Sequence, residues 1–420
     1  MLNTVLGDLF VPEAADDARP STAGCMPGTR IQIMTECVTW AIGGLQNIFW
    51  LSGMAGTGKS SIALTLCRML RNEPGVFFGG GFFCSRASGS SARTDVRRIL
   101  PTLLRLMAGK SPEFATALSA KLGKADRTAF RPVREQMRLL LHQSLSALAP
   151  SHRPIVFVID ALDELSREDE VAQLLQHVAE FRSDVPVKFI LTSRPELHIR
   201  RTPIRNNKHS KILHLDIVNP VDVQHDIRTY IACTLAAVSK TSTWYTDNDV
   251  ETLVQLADCL FVFASATLNY VLGPDEDDDR SARLRRVTSG GIQGTAATAQ
   301  IDAMYESVAT AAFDLSVIDT EELDQLKFII AQILISRSLI TMQGLAGLVS
   351  LSSSSIRRLL RRLHAVVHVP EDDDVSSLRT IHTSFGDYLF NRAPNHISIP
   401  LPLVEDDHGH SVCDIVDGKR

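Results

Sequence analysis

Between Thr29 and His214, short apolar runs alternate with longer segments of helical period. The runs are "NIFWLS" at 47–52, "GVFFGGGFF" at 75–83, "PIVFVID" at 154–160, "VKFILTS" at 187–193 and "KILHL" at 211–215. Strand-length runs separated by helices predict an α/β fold, a mostly parallel sheet with helices on both faces. Beyond it the pattern changes. Asn219-Pro220 is a helix start, a capping residue followed by proline at the first helical position, and two helices are expected from there to Gly273. The acidic run "DEDDD" at 275–279 and a Ser/Gly/Thr/Ala-rich patch at 288–299 mark a linker. Residues 300–392 are helix-rich, and near their end "AVVHV" and "VSSLRTI" flank the acidic turn "PEDDD". Three helices and a hairpin make a winged-helix pattern. The expected organisation is a leader over 1–28, an α/β domain over 29–214, a helical domain over 215–274, a linker over 275–299, a helical and winged-helix-like α+β domain over 300–392, and a tail over 393–420.

Length and composition fit this division. A chain of 420 residues exceeds one ordinary core, and 45% hydrophobic with 22% charged residues is a globular balance. The net charge of −5 gives no general attraction for nucleic acid. Seven cysteines, without a C-x-x-C pair or zinc spacing, point to reduced thiols. His142, His177 and His198 lie apart and form no metal set. The N-terminal "MLNTVLGDLFVPEAADD" lacks the basic lead of a secretory signal. The longest apolar run, from Leu260, falls short of a membrane span and reads as a buried helix. A soluble, intracellular, cytoplasmic protein is expected.

The chemistry begins after the first strand. Gly53-Met54-Ala55-Gly56-Thr57-Gly58-Lys59-Ser60 fits G-x-x-x-x-G-K-[ST] at every defined position, with Ser61 following. Glycines let backbone N–H groups curl round a polyphosphate. Lys59 is placed to reach the β- and γ-phosphates and Ser60 to ligate Mg²⁺, while the helix that follows adds its positive end. About a hundred residues on, "PIVFVIDALDEL" closes a strand on Asp160, with Asp163 and Glu164 just beyond. A carboxylate at the end of the neighbouring strand is where Mg²⁺ needs its second anchor, and Asp160 is assigned there. Asp163 or Glu164 is placed to orient or deprotonate an attacking water. "KFILTSRPE" brings Thr192, Ser193 and Arg194 to the same strand edge, where Arg194 is suited to γ-phosphate charge.

In order, "GCMPGTR", Trp40, "FWLSGMAGTGKSSIA", "FFCSR", "VFVIDALDEL" and "FILTSRPELHI" resemble the NACHT modules of the STAND class of P-loop NTPases, most closely the nephrocystin type abundant in basidiomycete fungi. The likeness runs more loosely through "LADCLFVFASATLNYV" to "IHTSFGDYLF". The resemblance implies ATP/ADP with Mg²⁺, GTP being left open, and a winged-helix domain that closes over the nucleotide. It implies that His382 in "IHTSF" contacts the ADP β-phosphate, and that Thr29 and Arg30 lie where the chain enters the base or ribose site. Two departures stand out: Cys259 where the family has glycine, and the triple glycine at 79–81, which is expected to loosen its strand.

Three functions compete. The first is a signalling switch, with ADP holding a closed monomer, ATP opening it for self-association, and slow hydrolysis resetting it. By resemblance its setting is fungal self/non-self recognition or defence, with unidentified sensor and effector partners. The second is an ATPase or phosphotransferase acting on a separate substrate, for which no binding cassette is visible. The third is nucleic-acid binding through Arg357, Arg358, Arg361 and Arg362, which the acidic turn at 371–374 opposes.

Overall fold

The computed structural model describes residues 9–18, 20, 24–53, 56–86, 90–122, 132–146, 153–194, 199, 202, 210–215, 218–238, 244–257, 259–273, 280–289, 302, 305–306, 308–310, 312–314, 316, 318–336, 340–363, 366–370, 377–380, 383–391, 393–394, 397 and 399. By contacts these fall into two units, 1–264 and 265–420.

The first unit is built on five parallel strands: β1 (Ile48–Ser52), β2 (Phe77–Phe83), β3 (Ile155–Asp160), β4 (Val187–Ser193) and β5 (Ser210–His214). Their order is β2-β3-β4-β1-β5. Side chains alternate across the sheet, as the two-residue period of a strand demands. Phe49, Leu51, Val156, Val158 and Ile190 pack with helices α1 (Ile31–Gly43) and α2 (Lys59–Arg71). Ile48, Trp50, Phe157, Ile159, Phe189 and Leu191 face the other way. They pack with α3 (Ile99–Ala108), α4 (Pro112–Lys121), α5 (Val133–Gln136, continued by a π-helical stretch Met137–His142) and α6 (Glu168–Glu180). Two apolar layers on one sheet explain why the strands read as unbroken hydrophobic runs.

Two details depart from what the sequence leads one to expect, and a third agrees with it. The stretch expected to be a leader is, from Leu9 to Ala18, part of this unit. Leu9, Val11 and Ala14 are buried in the core, and Ala15 forms an antiparallel bridge to Phe82 on the sheet edge. Buried Asp16 accepts from the Gly81 N–H at 3.0 Å and pairs with Arg71. The triple glycine, expected to loosen β2, does so at one point. The strand bulges between Phe78 and Gly80 and otherwise keeps its register with β3. Its glycines answer crowding: a Cβ on Gly79 would fall 2.2 Å from the Phe157 ring and one on Gly81 2.9 Å from Cys67 Sγ. The region after Asn219 holds three helices where two were expected: α7 (Pro220–Val238), α8 (Asp247–Ala257) and α9 (Phe261–Leu272). Cys259, at φ 68°, adopts the left-handed turn before α9, a conformation that glycine takes without steric cost.

The second unit contains α10 (Arg280–Ser289), α11 (Thr320–Ile335), α12 (Met342–Val349), α13 (Ser353–Leu360) and α14 (Thr383–Asn391). The side chains of Asp319, Thr341 and Ser352 cap the N-termini of α11, α12 and α13. Strands β6 (Ile340–Thr341), β7 (Val367–His368) and β8 (Ser377–Thr380) form an antiparallel sheet in the order β6-β8-β7. Tyr305, Phe385 and Tyr388 cluster in its core, with ring centroids 5.1 and 5.7 Å apart. Among the described residues no helix is long and apolar enough to cross a membrane.

Candidate functional site

The loop between β1 and α2 is anchored at both ends. The Gly53 N–H donates to Ser193 O at 3.2 Å, which fixes the start of the loop beside β4. Gly56 and Gly58 have φ values of 80° and 90°, so the chain turns through left-handed backbone before entering α2. Gly58 caps α2 without a side chain, leaving the first-turn N–H groups facing the loop. A Cβ on Gly58 would meet nothing within 4 Å, so backbone geometry alone calls for glycine there. Lys59 folds back on the loop, its Nζ donating to Gly53 O at 2.7 Å. Met54 and Ala55 lie outside the described residues, as does His382.

The loop is also held from the side of the helical layer. Arg30, at φ 56°, starts α1 and is almost fully buried. Its Nη2 donates to Thr57 O at 3.0 Å, and its guanidinium lies 4.7 Å from the centre of the Phe261 ring at the start of α9. Its backbone N–H donates to Asp226 Oδ2 on α7 at 3.0 Å, and the Val262 N–H donates to Gly56 O at 3.2 Å. Burial draws the Arg30 guanidinium pKa down, opposed by Asp226. Arg30 Nε and Nη1 are buried without a hydrogen-bond partner, although Nε lies 3.9 Å from Asp226. Buried donors of this kind are uncommon and suit a polar ligand. Thr29 is buried as well, but its hydroxyl donates to Met26 O at 2.7 Å and closes a local turn.

The carboxylates lie on the other side of β4. Asp160, expected at the end of the strand next to β1, lies one strand further away, because β4 runs between β1 and β3. That insertion explains the polar end of β4. Thr192 Oγ1 donates to Asp160 Oδ1 at 2.6 Å and accepts from the Ala161 N–H at 2.9 Å. Ser193 Oγ accepts from Trp50 Nε1 at 2.8 Å. After Asp160 the chain turns through Ala161, at φ 59°, into a 3₁₀ turn, Leu162–Glu164. The three acids then part company. Asp163 accepts from the Arg194 backbone N–H at 2.9 Å and pairs with its Nε at 3.2 Å. Asp160 and Glu164 line a cleft of about 190 Å³ with Ser60, Cys84, Ser85 and Arg93. Burial pushes the Glu164 carboxyl above the usual range, as do Asp163 and Asp160, while the Arg86 N–H and Arg194 pull it down.

Two arginines here were not singled out from the sequence. Arg86 Nη2 donates to Asp163 O at 2.7 Å and Leu165 O at 3.1 Å, its Nε to Glu164 O at 3.1 Å, and its backbone N–H to the Glu164 carboxylate at 2.8 Å. Buried Arg93 donates from Nε and Nη2 to Phe83 O at the end of β2. Spacing gives no clue to either; only the "FFCSR" resemblance touched Arg86. The basic helix α13 is partly engaged within its own unit: Arg357 donates to Pro370 O and Arg358 pairs with Glu322 at 2.6 Å.

These residues fit a magnesium nucleotide. A glycine-cornered loop ends on a helix N-terminus with a lysine at its mouth, and Ser60 and Asp160 share one cleft. Residues 31–194 match the family described as "Nephrocystin 3, N-terminal", in agreement with the motifs of that type in the sequence. No curated protein matches the chain. Among solved structures, Cdc6p from Pyrobaculum aerophilum has 10% identity, covers 92% of this chain and 88% of its own, and has a TM-score of 0.39. The Orc1 protein of Aeropyrum pernix, solved in complex with DNA, has 11% identity, 88% and 94% coverage, and a TM-score of 0.36. Drosophila ORC bound to DNA has 14% identity, 90% and 94% coverage, and a TM-score of 0.35. The DNA in those two structures belongs to those proteins.

Proposed function

We propose that this chain is a nucleotide-dependent switch that binds ATP or ADP with Mg²⁺, hydrolyses the triphosphate slowly and changes shape with the nucleotide held. Residues 29–214 are the nucleotide-binding domain, 215–274 the helical domain, and 300–392 a helical and winged-helix-like domain. The loop Gly53–Ser61 takes the phosphates, with Lys59 exchanging its hold on Gly53 O for the β- and γ-phosphates. Ser60 and Asp160 would hold Mg²⁺, which supplies charge neutralisation at the β- and γ-oxygens. Glu164 faces the cleft and is the better placed acid to orient a water. Asp163 holds Arg194, which contributes positive charge at the γ-phosphate. Arg30, with buried unpartnered donors beside the Phe261 ring, contributes to the base or ribose site, and Thr29 shapes the turn before it.

The observation that carries the reading is the bridge at Arg30. One buried guanidinium bonds the phosphate loop, stacks on α9 and belongs to a residue whose backbone bonds α7. A ligand that changes this bridge has different affinities for its two arrangements, and a switch needs that difference. Closure by the winged-helix-like domain through His382, self-association in the ATP state, and a role in fungal self/non-self recognition complete the proposal. The engagement of Arg357 and Arg358 supports protein contacts over nucleic acid for that domain. The test is nucleotide content and turnover of the purified chain. Stoichiometric bound ADP with fewer than about one turnover per minute, well below ordinary enzymes, is expected. Fast turnover without an activator would identify an enzyme instead.

A further inference from the structure

A second cleft lies at the opposite end of the phosphate-loop helix. Helix α2 has 13 residues, so Lys59 and Arg71 lie about 18–20 Å apart along its axis. Around Arg71 the chain forms a cleft of about 350 Å³, lined by Arg71, Glu73, Phe77, Phe78, Lys110 and Arg153 among others. Three cations thus converge from three separate segments: the end of α2, the turn after α3 and the approach to β3. Two of them share an aromatic floor. Lys110 Nζ lies 4.5 Å and the Arg71 guanidinium 6.0 Å from the centre of the Phe78 ring. Gathering like charges in one concavity raises its potential and favours an anionic occupant.

Backbone capping accounts for part of this cluster. Lys110 Nζ donates to Phe78 O and Gly79 O, both at 3.2 Å, where the bulge in β2 disturbs the ladder. Arg153 Nη2 donates to Val76 O at 2.7 Å. An ammonium has three protons, so capping leaves Lys110 a third donor. Arg71 meets Asp16 through Nη2, and its side chain is 45% exposed. Glu73, the acid on the rim, has Oε1 turned to the Gly75 N–H at 2.9 Å. The cleft therefore has a net positive lining, a spare donor on Lys110 and an apolar floor. Its volume is near the lower limit for small-molecule sites, too small for a polymer.

We propose that this cleft binds a compact, soluble, phosphate-bearing polyanion, held by Arg71, Lys110 and Arg153 over the Phe78 ring. The site is separate from the phosphate loop and does not depend on the nucleotide reading.

The test is calorimetric titration of the full chain with inorganic tripolyphosphate at low salt, with the phosphate loop first saturated with ADP. Lys59→Ala protein is titrated without ADP as a control for a loop that takes no nucleotide. One equivalent is expected to bind in both. The double variant Lys110→Gln/Arg153→Gln keeps amide donors for the carbonyls while removing both charges, and is expected to weaken that equivalent at least about tenfold. If the double variant fails to fold, as judged by its melting profile, Lys110→Gln alone is used, with a loss of at least about threefold expected. No saturable binding, or unchanged affinity in the variants, would overturn the proposal. Binding to vesicles bearing phosphoinositide headgroups, without binding to tripolyphosphate, would also overturn it by assigning the cleft to a lipid surface.

Discussion

The two sides of β4 are held differently. On the β1 side, the phosphate loop is fastened by bonds that a nucleotide can replace: Lys59 Nζ on its own Gly53 O, and Arg30 on Thr57 O. On the β3 side, the turn 160–165 is fastened by bonds that no ligand need disturb. Arg86 grips three successive carbonyls, Thr192 holds Asp160, and Arg194 closes on Asp163. The first side is adjustable and reaches α7 and α9, whereas the second is preorganised around a small cleft. Under the proposed function, shape control would fall on one side of the strand and chemistry on the other, an arrangement that suits a slow switch better than a fast enzyme.

The largest effects should separate the two sides. Lys59→Ala removes the lysine charge at the loop and should weaken MgATP and ADP by roughly 100-fold, about 2.7 kcal/mol, for the loss of a charge-assisted contact, as read by fluorescent-nucleotide titration. Glu164→Gln should leave both affinities within about threefold while cutting single-turnover hydrolysis about 100-fold. Equal losses of binding and turnover in that variant would erase the distinction. A structural contrast comes next. Gly79→Ala drives a methyl into Phe157 and should cost about 1–3 kcal/mol in denaturant unfolding. Ala161→Gly relieves a left-handed alanine on the preorganised side and should stabilise the fold by up to about 1 kcal/mol.

The smallest effect concerns Lys188 of β4, buried with its ammonium donating to Trp40 O at 2.7 Å and Ala41 O at 3.0 Å at the end of α1. Burial lowers its pKa to about 8, against about 10.4 in an unfolded chain. Between those values the unfolded state binds more protons, so this group adds stability as pH rises from about 8 to about 10.4. Comparing the wild type with Lys188→Met across that range should show the wild type gaining relative to the variant. A difference independent of pH would contradict the lowered pKa.

Much of the α/β unit was legible because strand-length apolar runs and the P-loop spacing are local signals. Asp160 could be read for the same reason: it ends such a run. Strand order is not local, and nothing in "VKFILTS" announces that β4 separates β1 from β3. The roles of Arg86 and Arg93 depend on which carbonyls the fold brings near, so neither has a spacing signature. The segment 9–18 was missed because its few apolar residues carry no period, although it covers a sheet edge. Asp163 and Glu164 are adjacent, and sequence could not divide their tasks. The 3₁₀ turn gives them different surroundings, Asp163 against Arg194 and Glu164 in the lining of the cleft.

Hydrogen exchange of backbone amides, with and without MgADP, tests the claim that nucleotide held at the loop is felt in the helical layer. The diagnostic amides are Arg30, bonded to Asp226, and Val262, bonded to Gly56. MgADP is predicted to slow both in the wild type, and Arg30→Gln to abolish the effect at Val262 while ADP still binds. Protection confined to 53–61 and 160–164, with Arg30 and Val262 unchanged, would contradict the switch.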